Sequence, residues 1–154
     1  QKLKEQEENL TALRAKLAEE IRMAELAAQS SWRDISEVSF AEGDRYLLAN
    51  LIYCEAGGES YSGQVAVGAV VINRVLSAVY PDTVTGVIYQ SGQFQPAGSG
   101  RLALALAEGR AASSCYQAAD EAMGGATNVG NCVYFRTPVD GINPKYRIGG
   151  HIFY

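Results

Sequence analysis

Leu3, Leu10, Leu17 and Ala24 recur every seven residues, with Leu13, Ile21 and Ala27 falling between them. Mostly charged side chains fill the other positions, and neither Gly nor Pro interrupts. This pattern predicts an amphipathic helix of coiled-coil type over residues 1–30. At ~1.5 Å per residue it would reach about 45 Å. One such helix cannot bury its stripe alone. It needs another copy, a second protein, or its own domain. The plain reading is a linker or dimerisation stalk, and the sharper one is a regulatory arm.

The pattern breaks at SSWRDISEVS, which reads as a connector over residues 31–38. The remaining 39–154 form one expected domain. Ser39 with Glu42 has capping-box spacing, predicting a helix from about Phe40 to Ala56 with Leu47, Leu48, Leu51 and Ile52 on its apolar face. Gly57 and Gly58 end it, and Ser60 caps a second helix that runs to Pro81. Small residues Gly63, Ala66, Gly68 and Ala69 allow close helix packing there. A short turn capped by Thr83 follows. SGQFQPAGSG reads as a loop, RLALALAEGR as a short helix, and SSCYQAADEAMGG as a helix capped by Ser113 or Ser114. NCVYFRTP and HIFY are β-branched and aromatic and read as strands, with DGINPKYRIGG as a long turn between them. The expected fold is α+β: mainly helical, with a small antiparallel sheet at the C-terminal end.

Composition narrows the function. Apolar residues make up 47% and charged ones 19% of the 154, as in a globular protein. A net charge of −4 argues against a general nucleic-acid binder. No apolar run approaches the ~18 residues of a membrane span. The opening QKLKEQEENL has neither an initiator Met nor a leader-like apolar run, so a processed or partial chain is expected. The three cysteines, Cys54, Cys115 and Cys132, match no zinc spacing, and one histidine gives few ligands, so no metal or other cofactor is expected. A Cys115–Cys132 bridge is open to an exported protein.

From Ser39 onward there are nine carboxylates, and Glu55 is the odd one. It follows the apolar run Leu51–Cys54 in the last turn of its helix, where the helix dipole favours cations. Burial and that dipole both favour the protonated carboxyl, the form a general acid in glycoside cleavage requires. The plain alternative is a glutamate bonded to an arginine such as Arg74. Glu59 is a candidate second carboxylate, though a structural role at the next helix start is favoured, and Asp140 is a looser candidate. Cys54 with His151 raises a cysteine peptidase, against which stands the position of Cys54 at a helix C-terminus. Gln93, Phe94, Tyr134 and Phe135 offer the amide and aromatic faces that sugars use, although most aromatics are core residues.

YCEAGGESYSGQVAVGAVVINRV resembles the signature of the spore-cortex-lytic cell-wall hydrolases of the SleB/CwlJ type: Glu55 to Glu59, Tyr61, Gly63 to Val67 and Asn73 to Val75 carry it. GVIYQSGQF, the VYF near Tyr134 and IGGHIFY resemble later blocks, in order. The resemblance covers about residues 45–154 and leaves the N-terminal helix outside. It implies a lysozyme-like, lytic-transglycosylase-like domain acting on peptidoglycan glycan strands in a bacterial envelope or outside the cell, with Glu55 as the catalytic acid. It further implies that the SGQF loop and the C-terminal sheet, His151 included, line the sugar groove. The signature's arginine is Gly57 here, so Arg74 or Arg136 is expected to take over its role. Few convincing second acids tilt the expectation toward a lytic outcome over a hydrolytic one. A non-catalytic wall-binding module and a coiled-coil adaptor are the competing classes.

Overall fold

The computed structural model describes residues 1–154. The long helix α1 spans Lys2–Gln29, followed by a 3₁₀ turn at Ile35–Glu37, α2 (Asp44–Ala56), α3 (Tyr61–Leu76), α4 (Val84–Ile88), α5 (Gln95–Ser99), α6 (Arg101–Glu108) and α7 (Ser113–Met123). Three short strands close the chain: β1 (Phe135–Arg136), β2 (Tyr146–Ile148) and β3 (His151–Phe153). They form an antiparallel sheet in the order β1-β3-β2, with Phe135 opposite Phe153 and Ile148 opposite His151. The α+β expectation holds. No helix is long and apolar enough to cross a membrane.

The sequence of α3 is apolar on every side, and the fold buries every residue from Gly63 to Val75. One face packs on α2 and α7. There Gly68 sits so close that a Cβ would lie 3.1 Å from Ala122 Cβ and 3.2 Å from Ile52 Cδ1. The opposite face, with Ala66, Ala69 and Val70, packs on Val129, Cys132 and Phe153 under the sheet. Ser60 caps α3 by accepting from Gly63 N at 3.3 Å, and Thr83 caps α4 by accepting from Gly86 N at 3.0 Å.

Five local expectations are corrected, the first being the cap of α7, which begins after Ala112 with no side-chain cap from Ser113 or Ser114. The Ser39–Glu42 box does not form, and α2 starts only at Asp44. Gly43 is left-handed (φ 91°), and Asp44 is buried and accepts from Ala41 N at 2.8 Å. The box forms instead at Asp34–Glu37, where both reciprocal bonds are present. The SGQFQPAGSG segment contains α5, whose Pro lies in the first turn, where its missing N–H costs nothing. The long C-terminal turn contains β2, which β3 stabilises by pairing. Finally, Cys115 and Cys132 are free thiols in separate clusters, Cys115 among α2, α3 and α7 and Cys132 under the sheet.

Helix α1 finds its partner in its own chain. Leu3 (68%) and Leu10 (45%) are exposed, whereas Leu17 (5%) and Ala27 (0%) are buried. Ala27 joins Tyr80, Val133, Tyr134 and Tyr154 in a third apolar cluster. The connector is pinned to the end of α3: Trp32 bridges Ser77, and Arg33 donates to the carbonyls of Val75 (2.8 Å) and Asp82 (2.9 Å).

Candidate active site

Glu55 lies half-buried in the last turn of α2 on the wall of a cavity of about 100 Å³. Gln93, Phe94, Tyr134 and Phe135 share that wall, so four of the expected sugar-binding residues do converge on the expected acid. Arg74 and Arg136 also line it, together with Lys16 and Glu20 from α1. A wider cleft of about 600 Å³ adjoins it, and the two share Lys16, Gln93 and Phe94.

Burial pushes the Glu55 carboxyl above the usual carboxylate range, and the positive charge of Arg101 opposes that rise only in part. Arg101 donates to Cys54 O at 2.8 Å at the end of α2. Arg101 is thus the cation that opposes the rise at Glu55, while Arg74 and Arg136, the expected stand-ins for the missing signature arginine, line the same cavity.

Arg74 is committed elsewhere. It is 2% exposed, donates to Val133 O at 2.7 Å and Gln93 Oε1 at 2.9 Å, and lies 4.6–5.1 Å from the ring centroids of Tyr80, Phe94 and Tyr134. A guanidinium in such surroundings gains cation–π attraction while it fixes the Gln93 amide. Phe94 (5%) and Tyr134 (7%) are thus largely core, although both line the cavity. Phe135 is half-buried.

The other candidates separate from Glu55. Glu59 is turned away to the sheet, where its Oε1 accepts from Gly150 N at 2.9 Å. A Cβ at Gly149, itself left-handed at φ 56°, would collide with the same oxygen. Asp140 is exposed on a turn. His151 is not on the cavity wall. Its ring packs edge-on against Phe135, 5.2 Å between centroids. Nor does it meet Cys54, whose thiol donates to Arg101 O at 3.8 Å and lines a different cavity that holds no histidine. Burial raises the Cys54 thiol away from the reactive thiolate. The peptidase dyad is absent.

Two polar residues of the cavity, Lys16 and Glu20, escaped the sequence reading. Glu20 accepts from Tyr154 Oη at 2.5 Å and lies 3.6 Å from Arg136 Nη1. The signal was present: Leu17, Glu20, Ala24 and Ala27 fall on one helical face, so Glu20 had to follow Leu17 inward.

Residues 58–154 match the family model described as Cell Wall Hydrolase. The match begins just after Glu55 and includes Glu59. The spore cortex-lytic enzyme of Bacillus cereus is 37% identical over 122 residues, covering 74% of this chain and 45% of that protein. That of Oceanobacillus iheyensis is 36% identical over 121 residues, covering 74% and 42%. The chain thus spans less than half the length of these relatives. Among solved structures, the catalytic domain of Bacillus cereus SleB superposes with a TM-score of 0.65 at 34% identity, covering 75% of this chain and 91% of that one. The catalytic domain of the germination-specific lytic transglycosylase SleB from Bacillus anthracis gives 0.62 at 35% identity, covering 75% and 96%.

Proposed function

The chain belongs to the cell wall hydrolase family, and on that premise we propose that it cleaves the glycosidic bond between N-acetylmuramic acid and N-acetylglucosamine in peptidoglycan, as a lytic transglycosylase. Residues 39–154 are the catalytic unit, and its place of action is the bacterial envelope or the space outside the cell. The observation that carries the reading is Glu55: a carboxyl biased toward its protonated form, at the end of a helix, on a cavity wall shared with Gln93 and Phe135.

The reaction runs on this one carboxyl. Glu55 donates its proton to the glycosidic oxygen as the C1–O bond breaks, and N-acetylglucosamine leaves with a free hydroxyl. An oxocarbenium-like state develops at C1 of the muramic residue. The Glu55 carboxylate then takes the proton of the muramic C6 hydroxyl as O6 bonds to C1. A 1,6-anhydro end forms, Glu55 is protonated again, and no water is consumed. The Gln93 amide, held by Arg74, bonds the sugar's polar groups, and Phe135 packs on its apolar face. A hydrolytic route would call on a second carboxylate for water or for direct attack. The engagement of Glu59 with Gly150 disfavours it for that role.

The test is release of soluble fragments from purified peptidoglycan by wild type and Glu55→Gln. Release that Glu55→Gln abolishes supports the reading. Equal release by both proteins, or binding to the wall with no release by either, rejects it, the latter in favour of a binding module.

A further inference from the structure

The cavity beside Glu55 is about 100 Å³, far below the ~300–1,000 Å³ of sites that hold small ligands, and α1 closes it through Lys16 and Glu20. The contact is built from charge. Glu20 accepts from Tyr154 and faces Arg136, both side chains being largely shielded, at 18% and 24% exposure. Yet Arg136 Nη1 is buried without a hydrogen-bond partner, since 3.6 Å is a charge contact and not a hydrogen bond. Arg136 is half-buried on the cavity wall and its shielded Nη1 donor is unused, so the guanidinium suits an anion, a forked carboxylate best. The remaining packing of α1 is incomplete. A void of about 370 Å³ separates Ile21 and Ala24 from the turn at Gly141–Lys145, and the first turns of the helix project into solvent.

We propose that Arg136 is the substrate-carboxylate subsite of this cleft, and that Glu20 of α1 occupies it as an internal anion that competes with substrate. The proposal rests on the peptidoglycan reading above. Muramic residues carry lactyl-linked peptides with free carboxylates, which a neutral polysaccharide lacks. When such a carboxylate takes Arg136, Glu20 is displaced, the second half of α1 lifts, and the narrow cavity joins the wider cleft.

The test is equilibrium binding of a soluble disaccharide-dipeptide with free carboxylates, against its fully amidated counterpart, to full-length proteins. Wild type is expected to show little preference between the two, because Glu20 already neutralises Arg136. Glu20→Gln is expected to prefer the free carboxylates by about tenfold. Adding Arg136→Gln should erase that preference, while Arg136→Lys, which keeps the charge and loses the fork, should retain part of it. Circular dichroism checks each fold. Hydrogen exchange at residues 13–29 of wild type should rise as the fragment saturates. The proposal is overturned if Glu20→Gln shows no carboxylate preference, if both Arg136 variants leave the preference intact, or if α1 protection is unchanged by bound fragment. Cleavage assays on the same proteins read the catalytic proposal separately. Carboxylate preference without cleavage sinks the role of Glu55 and leaves that of Arg136. Cleavage without preference does the reverse.

Discussion

Glu55 and Glu59 lie four residues apart in one motif, yet the fold treats them in opposite ways. Glu55 ends α2 half-buried on the cavity wall, where burial favours the proton. Glu59 lies beyond the Gly57–Gly58 break, and its carboxylate is spent on the Gly150 N–H that shapes the turn between β2 and β3. A hydrogen bond from a backbone N–H holds a carboxylate in place. Burial without one keeps a proton available. The same side chain can thus be an acid or a strut, and the backbone turn between the two decides which.

The sharpest way to break this comparison is Glu55→Gln. Cleavage should fall by about 10²–10⁴-fold, the usual worth of a general acid, read as fragment release. Stability should move the other way. The folded Glu55 carboxyl titrates above its unfolded value of about 4.3, so the folded state holds a proton that the unfolded chain has lost in that window. Wild-type stability therefore falls as pH rises through it, and Glu55→Gln should lack that slope in denaturant melts at pH 4 and pH 8.

Next in size is Gly149→Ala, which meets both a left-handed φ of 56° and the Glu59 oxygen. It should cost about 1–3 kcal/mol in denaturant unfolding. Glu59→Ala removes the acceptor of Gly150 N–H and should cost about 1 kcal/mol. Glu59→Gln keeps an acceptor and should cleave at close to the wild-type rate. If instead it loses activity as Glu55→Gln does, the strut reading fails. The smallest effect is expected from Arg101→Gln. Removing the charge that holds Glu55 down should move the alkaline limb of the pH–rate profile upward, and a downward shift would contradict that assignment.

Much of this was legible in the chain because it is encoded locally. Gly57-Gly58 followed by Ser60 marks the α2–α3 break, and Glu55 stands out by placing a carboxylate where a helix end disfavours negative charge. What the sequence hid is non-local. Tyr146–Ile148 lies in a turn-rich segment two residues after Pro144 and becomes a strand only because β3 pairs with it. The α2 start is misplaced by sequence because the capping-box spacing occurs twice, and Asp44 captures Ala41 N–H at the second occurrence. Glu20 is hidden for a related reason. A heptad stripe tells that a helix must be covered and is silent about what covers it. Here the C-terminal half of the stripe meets the face that carries Glu55, while Leu3 and Leu10 stay bare.

The measurement that goes most directly to the central claim is mass spectrometry of the soluble products from purified peptidoglycan, for wild type and Glu20→Gln, each with and without Glu55→Gln. Fragments ending in 1,6-anhydro-muramic acid, present while Glu55 is intact and lost in both proteins that carry Glu55→Gln, are the expected result. Ordinary reducing ends, or anhydro ends that persist in Glu55→Gln, would contradict it.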